Sequence, residues 1–310
     1  MILLCGIPTE SPLAMVAEAL ADSGREFLFL NQREVADWRI AFTATDDGLS
    51  GWLEAHGRNI ALADVTGVYP RLMDDRELPE FKAAPDGSPF RAHCRAQHDT
   101  LSRWMELTPA RVLNRARSMA SNCSKPYQAQ LIARAGFSVP PTLVTNDPAA
   151  ALDFRRRHGR IIFKSISSVR SVVREFDDAD AARLAQIRWC PVQFQAFIPG
   201  VNVRVHTVGD AVFATEIVSD AADYRYATRQ TGTAAELRAR EIHAELADRC
   251  RRLSQQLGLP LSGIDLKLTP DGEVYCFEVN PSPAFSYYEN HTGQPIARAI
   301  ADHLAGVSGS

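Results

Sequence analysis

The sequence predicts a mixed α/β (α+β) chain, an open-sheet domain followed by a second unit built on antiparallel hairpins. Three observations carry this. "MILLCGI" and a second apolar run flank a helical stretch, the strand–helix alternation of an open parallel sheet. "VNVRVHTVGDAVFATEIV" and "GIDLKLTPDGEVYCFEVN" each join two strand-like runs through a glycine-containing turn. Between these regions Ser124-Lys125-Pro126 makes a fresh helix start. At 310 residues, 45% hydrophobic and 23% charged, the chain has about two domains' worth of length and enough apolar side chains for sizeable cores.

Taken in order, residues 1–7 form a buried strand, 11–22 a helix that Gly24 ends, and 26–30 the next strand. "GIPTESP" follows the first strand, where doubly wound sheets bind ligands, but one glycine and no GxGxxG give a dinucleotide site little support. Residues 59–63 and 66–69 read as short strands ending at Arg71. Residues 74–89, with four prolines or glycines and many charges, read as a loop. A long amphipathic helix over 90–107 and a segment over 111–114 close the domain.

In the second unit Ser124 caps a helix over 125–135, with Pro126 tolerated in the first turn and Gly136 beyond the end. "VPPTLVTNDP" runs extended into a helix capped by Asn146 or Asp147 and stopped by Gly159. "RIIFKSIS" is a strand, "SVVREF" the next, 179–188 a helix, and "VQFQAFI" a strand. "VNVRVHTVGDAVFATEIV" folds back at Gly209-Asp210. Residues 234–257 read as the longest helix, stopped by Gly258; the last hairpin and a helix over 295–304 follow. No internal repeat or low-complexity tract is visible.

Composition excludes several function classes. Net charge is −3 and pI about 6.3, which makes no electrostatic case for nucleic acid. Six cysteines (Cys5, Cys94, Cys123, Cys190, Cys250, Cys276) have no CxxC spacing and read as buried thiols of a reducing compartment. His93, Cys94 and His98 do not all share one helix face, so they read as part of an ordinary helix. No apolar run reaches the ~20 residues of a membrane span, and the N-terminus lacks a basic signal region. A cytoplasmic protein without membrane or nucleic-acid partners is expected.

The last hairpin poses the chemical question, because Asp, Lys, Glu and Asn interrupt otherwise apolar strands. Thr269-Pro270-Asp271-Gly272 is turn chemistry. Closing the hairpin there places Leu268 opposite Glu273 and Asp265 opposite Cys276. Asp265, Lys267, Cys276, Glu278 and Asn280 then share one face; Ile264, Leu266, Leu268, Tyr275, Phe277 and Val279 form the core face. Asp265 and Glu278 become diagonal neighbours, roughly 7–8 Å apart. Two carboxylates that close repel unless a cation lies between them or one keeps its proton. Three hard oxygen ligands suit Mg²⁺, and no His or Cys cluster points to zinc. A solvated polar face is the competing reading.

Lys125 and Lys164 add a second line, Lys164 standing at the end of the apolar run "IIF" where lysine is costly to bury. Next come "VQFQAFIPG", a strand and hinge, and "VNVRVHTVGD", with Asn202 and Arg204 on one face. The order Lys, Lys, hinge, Asn-x-Arg, Asp, Glu-x-Asn resembles the ATP-grasp superfamily of carboxylate ligases over about residues 110–305. "FEVNPSP" and "GIDLK" are its most specific pieces. "PPTLVTNDPAAALDF", "DYR" at 223–225 and "NHTGQPIARAIADHL" look most like graspetide synthetases, relatives of the ribosomal-protein glutamate ligases.

That resemblance implies a pre-ATP-grasp domain over 1–114 and two ATP-grasp subdomains over 115–195 and 196–310. It implies Lys125 and Lys164 on ATP phosphates, and a hinge of Gln195, Ala196, Phe197 and Ile198 whose backbone at 196 and 198 reads adenine. Asn202 would lie at the ribose, where relatives often place an acid. Arg204, with Arg225 of "DYR", would serve the transferred phosphoryl group. Asp265, Glu278 and Asn280 would hold one or two Mg²⁺, with Mn²⁺ as an alternative ion. The sequence departs from the family in "SISSVRSVV", a phosphate loop without glycine, in Asn202 itself, and in "PSPAFSYYE", where graspetide enzymes carry a Gly-Gln-Trp type of segment.

The expected activity is ATP-dependent ligation of a carboxylate to an amine or hydroxyl through an acyl-phosphate, on a peptide or protein. A ligase joining two small molecules, such as amino acids, is the first alternative. A nucleotide-binding regulator without catalysis is the second, favoured by the missing glycines and opposed by the intact Lys, Arg and Asp–Glu–Asn set. The partners are then ATP and a carboxylate and nucleophile carried by peptide or small molecule. Homo-oligomerisation stays open.

Overall fold

The structure is a computed structural model describing residues 1–166, 173–219 and 235–307. β1 (Ile2–Gly6) is buried along its whole ILLCG run, as a strand covered on both faces must be. α1 (Ser11–Asp22) leads from it to β2 (Phe27–Asn31), which pairs with β1 in parallel. The chain then leaves this sheet for an antiparallel meander, β3 (Trp38–Thr45), β4 (Gly48–Ala55) and β5 (Arg58–Ala61), of which only the last strand was expected. It returns as β6 (Gly67–Arg71) on the other side of β1, and β7 (Arg111–Val112) completes the order β2-β1-β6-β7.

Residues 74–89 are not simply a loop. They hold a 3-10 turn over Asp75–Glu77 and α2 (Pro79–Ala83), which Pro79 can open because the first helical N–H needs no partner. α3 (Pro89–Leu107) follows, capped by Ser88, and buries Cys94, Leu101, Trp104 and Met105. α4 (Ala116–Met119) and α5 (Lys125–Arg134) lead out of this domain.

A second sheet contains β8 (Thr142–Thr145), β9 (Ile161–Ser165), β10 (Arg174–Glu175) and β11 (Val192–Ala196), in the antiparallel order β10-β9-β11-β8. α6 (Pro148–His158) is capped by Asp147, whose side chain accepts from the Ala149 N–H. It shares one core with α7 (Asp178–Ala182) and the second sheet: Phe154, Phe176, Leu184 and Phe194 are buried together. The helix expected over 179–188 ends at Ala182 and continues as a 3-10 turn over Leu184–Trp189.

The third sheet has five antiparallel strands: β12 (Val201–Val208), β13 (Ala211–Val218), β14 (Glu236–Arg240), β15 (Leu261–Leu268) and β16 (Val274–Asn280), in the order β14-β13-β12-β15-β16. β14 corrects the helix expected over 234–257. The run "ELRAR" is rich in helix formers, but it pairs along β13 and buries only Leu237. Pairing with a sheet edge has outweighed intrinsic propensity. α8 (Ala244–Gln256) starts after it and, at 13 residues, is shorter than the 19-residue α3. Its Cys250 and Leu253 cover Val203, Val205, Ile264, Leu266, Cys276 and Val279. α9 (Ser286–Thr292) and α10 (Ile296–Ala305) end the chain; α10 joins Leu13, Val16 and Leu20 of α1 in one core. No described helix is long and apolar enough to cross a membrane.

Candidate active site

On the face of the third sheet turned away from α8, strand pairing lines up charged side chains in a row. Arg204 of β12 stands opposite Asp265 of β15, and Asp265 stands opposite Glu278 of β16. The next row is His206, Gly263 and Asn280; on the other side Asn202 faces Lys267. Alternation does the sorting, since the intervening Val203, Val205, Ile264, Leu266 and Val279 are buried under α8.

The pairing differs from the expected register in two places. Leu268 pairs with Val274 instead of Glu273, a slip of one residue that turns Cys276 into the core beside Leu266 and sets Tyr275 opposite Lys267. A bulge between Asp265 and Leu266 then leaves Phe277 without a direct partner, so it is not the core-face residue of a regular ladder. The second shift restores the face of Glu278 and Asn280 and brings Glu278 directly opposite Asp265, not diagonal to it.

Cations answer these carboxylates. Arg204 Nη1 donates to Asp265 Oδ1 at 2.7 Å, and Lys125 Nζ, from the first turn of α5, donates to Glu278 Oε2 at 2.9 Å. Burial pushes the Glu278 carboxyl upward, but the Lys125 charge and hydrogen bond, helped by Lys164 and Arg204, outweigh it and hold Glu278 below its usual range. Lys164 acts from β9, opposite Gln193 of β11, so a charge carried by the second sheet reaches this row on the third. Among the described residues no three His, Cys, Asp or Glu side chains gather into a metal cage. Two carboxylates and the Asn280 amide oxygen are the hard-oxygen set present, and it fits Mg²⁺.

The hinge is partly engaged. Gln195 is buried and donates to Thr142 Oγ1 at 3.1 Å. The Ala196 N–H donates to the Pro141 carbonyl (2.9 Å) and the Phe197 N–H to the Arg160 carbonyl (3.0 Å). Pro140 and Pro141, which run alongside, have no N–H to offer the Ala196 carbonyl. Among the described residues the Ala196 carbonyl is therefore given no N–H partner by this neighbouring segment. Arg225 lies outside the described residues.

Several residues that position this site were not expected. Gln128, one turn after Lys125 on α5, accepts from the Val279 N–H (3.0 Å) and donates to its carbonyl (2.8 Å), pinning β16 between Glu278 and Asn280. Asn114 holds both sides of the hairpin, donating to the carbonyls of Leu261 and Pro281, each at 2.6 Å. Gly263 has a functional reason: a Cβ there would overlap the Arg204 guanidinium, which lies across it. A glycine inside a strand was the available signal. Tyr288 of α9 packs on His206, ring centroids 4.8 Å apart, with Arg204 Cζ 5.6 Å from its ring. His206 is fully buried with neither ring nitrogen hydrogen-bonded among the described residues; burial first, and the Arg204 charge second, hold its pKa well below the ordinary value.

Beyond Asn280, whose side chain accepts from the Ser282 N–H (2.9 Å), the cleft meets the first domain. Arg71, at the end of β6, donates to Ser282 Oγ (3.1 Å), the Pro283 carbonyl (3.3 Å) and Glu10 (2.7 Å). Ile7, Thr9, Glu10, Arg71, Met119 and Ser282 line a crevice of about 480 Å³. It opens at the carboxyl ends of β1 and β6, the point where the winding of an open parallel sheet reverses. The "GIPTESP" loop thus lines a cleft even without a dinucleotide motif.

The chain as a whole is similar to known proteins. The RimK-like ATP-grasp domain matches residues 123–304. A probable alpha-L-glutamate ligase of Chromohalobacter salexigens is 26% identical over 275 residues, 81% of this chain and 87% of that protein. Among solved structures, the ATP-grasp ligase PsnB, complexed with a phosphomimetic variant of minimal precursor, Mg and ADP, is 27% identical with a TM-score of 0.77 over 99% of this chain and 98% of that one. The RiPP-associated ATP-grasp ligase of Chryseobacterium gregarium, with ADP and a leader and core peptide, shares the fold at a TM-score of 0.82 and 23% identity, over 99% and 97% of the two chains. The matched domain takes in more than half of the sequence, from the start of α5 almost to the end of α10, so this chain belongs to the RimK-like ATP-grasp family and is an ATP-dependent ligase.

Proposed function

We propose that this ligase joins a carboxylate to an amine or hydroxyl of a peptide or protein substrate, working in the cleft between its second and third sheets. The observation that carries the site is the row Arg204–Asp265–Glu278, closed by Lys125 and Lys164. The peptide substrate is supported by two of the solved ligases similar to this chain, which hold a precursor or leader and core peptides. A glutamate-ligase relative keeps a second reading in view, ligation of an amino acid.

Lys125 and Lys164 take the triphosphate as mobile point charges. The hinge from Gln195 to Ile198 receives the base, the Ala196 carbonyl and Ile198 N–H facing its edge, and Asn202 the ribose. Asp265, Glu278 and Asn280 would hold Mg²⁺, one or two ions with Mn²⁺ as a substitute, and the ion supplies charge neutralisation for the phosphates. A substrate carboxylate oxygen attacks the γ-phosphorus; the bond to the β-bridging oxygen breaks, and ADP leaves with the electron pair. Arg204, fixed by Asp265 above the bare Gly263, keeps a permanent positive charge beside the transferred group. Arg225 is the second cation assigned to this step. The amine or hydroxyl then attacks the acyl carbon, gives up its proton and expels phosphate. The crevice by Glu10 and Arg71 opens the site toward the first domain, which leaves room for a chain to enter. The lobes divide at residues 114 and 195.

Incubation of candidate peptides with enzyme, ATP and Mg²⁺, followed by mass spectrometry, tests this. The expected result is loss of one water per bond formed, with matching ADP and phosphate. ADP release with free amino acids alone, and peptides of unchanged mass, would replace the peptide reading by the small-molecule one.

A further inference from the structure

Lys267 closes the "GIDLK" motif and has no task in the mechanism above. It stands two residues beyond Asp265 on the same strand, opposite Asn202, and is partly buried. Its Nζ lies 5.3 Å from the Phe197 ring centroid and 5.9 Å from that of Phe277. Arg160 covers the Phe197 ring, its Cζ 3.9 Å from the centroid. Arg160 is neutralised by Glu175 through bonds of 2.8 and 2.9 Å, whereas no carboxylate or other acceptor reaches Lys267 among the described residues.

An ammonium group drawn partly out of water and held near ring faces, with a second cation close by, is short of an acceptor. Its neighbours say what could bring one. Phe197 belongs to the hinge, Asn202 to the position assigned to the ribose, and Asp265 to the metal set. Lys267 lies among these three, while Lys125 and Lys164 gather at the phosphate end beside Glu278. Asn202 also replaces the acid expected at the ribose, so the Asn202–Lys267 pair shifts this stretch of the cleft from accepting hydrogen bonds toward donating them.

We propose that Lys267 is a nucleotide-binding residue that donates a hydrogen bond to an acceptor of the nucleoside, N7 or N3 of the purine or the 2′- or 3′-hydroxyl oxygen of the ribose, and so helps to set which nucleoside triphosphate the ligase uses. This rests on the nucleotide assignment given under the proposed function.

Calorimetric titration of the full chain with a non-hydrolysable ATP analogue tests it, comparing wild type with Lys267→Met, which keeps the stem and loses the donor. A loss of about 10-fold in affinity is expected, the scale of a hydrogen bond to a charged group, with partial rescue in Lys267→Arg and, in steady state, a change in KM for ATP rather than in kcat. The 7-deaza, 3-deaza, 2′-deoxy and 3′-deoxy forms of the ligand identify the acceptor: one should bind wild type about 10-fold more weakly and show no further loss in Lys267→Met, the signature of coupled partners. Wild type that binds all four like the parent overturns the proposal whether or not the variant folds. So does equal affinity of Lys267→Met and wild type, or losses that simply multiply; each leaves the nucleotide site standing. Wild type that binds no ATP analogue overturns the site assignment and this inference together.

Discussion

The parallel sheet of the first domain and the five-stranded antiparallel sheet of the third differ in where they can place chemistry. β1 is covered on both faces, so its side chains are all spent on packing, and the polar groups of that domain's crevice sit at strand ends, Glu10 in the loop after β1 and Arg71 as the last residue of β6. The antiparallel sheet packs one face under α8 and uses the other for Arg204, Asp265 and Glu278. One sheet works at its ends, the other across its surface.

Truncation in the two cores should break this symmetry of roles most visibly. Leu4→Ala in β1 and Ile264→Ala in β15 remove fully buried side chains and should each cost about 2–5 kcal/mol in denaturant unfolding. Leu4→Ala should leave ADP release per folded molecule unchanged. Ile264→Ala, next to Asp265, should lower it. Equal turnover in both variants would mean that the site does not depend on the packing beneath it.

An effect of comparable size, with a lower ceiling, sharpens the contrast between the faces of the third sheet. Arg204→Ala should lower substrate-dependent ADP release about 10²–10³-fold while binding of an ATP analogue stays near wild type. Gly263→Ala should move in the same direction, because a Cβ displaces the guanidinium. A mutant Arg204→Ala that turns over like wild type would make Arg204 a structural partner of Asp265.

The smallest effect concerns pH. His206 is kept neutral in the fold, its pKa lowered by burial and by Arg204, whereas in the unfolded chain it titrates near its ordinary 6.5. Below that pH the unfolded state binds a proton that the folded state refuses. Stability should therefore fall as pH drops through about 6.5, by at most about 1.4 kcal/mol per pH unit from this group, and be flat in it above. Thermal melts between pH 5 and 8 should show a shallower acid limb for His206→Phe; parallel limbs would assign the slope to other groups.

The same two sheets show what a sequence makes legible. β1 and α1 were readable because continuous burial and a 3.6-residue stripe are strong patterns. β14 was not, because its residues favour helix and only pairing with β13 decides otherwise. On the hairpin, Asp265, Glu278 and Asn280 were placed on one face because charge within apolar strands is costly and therefore conspicuous. Cys276 and Phe277 were misplaced because neither the slip after Leu268 nor the bulge is written in the turn chemistry. Gln128 and Asn114 were invisible for a different reason. An amide in a helix or loop looks solvated until the backbone it serves, here a hundred and more residues away, is in view.

Gln128 has a consequence beyond fixing two side chains. β16 is an outermost strand, and such a strand ordinarily offers its unpaired N–H and C=O groups as a template for another chain. Here the Gln128 amide occupies those of Val279, and the Ser138 carbonyl accepts from the Cys276 N–H at 2.9 Å. At Cys276 and Val279 that border is already occupied, so an added strand would find these backbone groups of β16 taken.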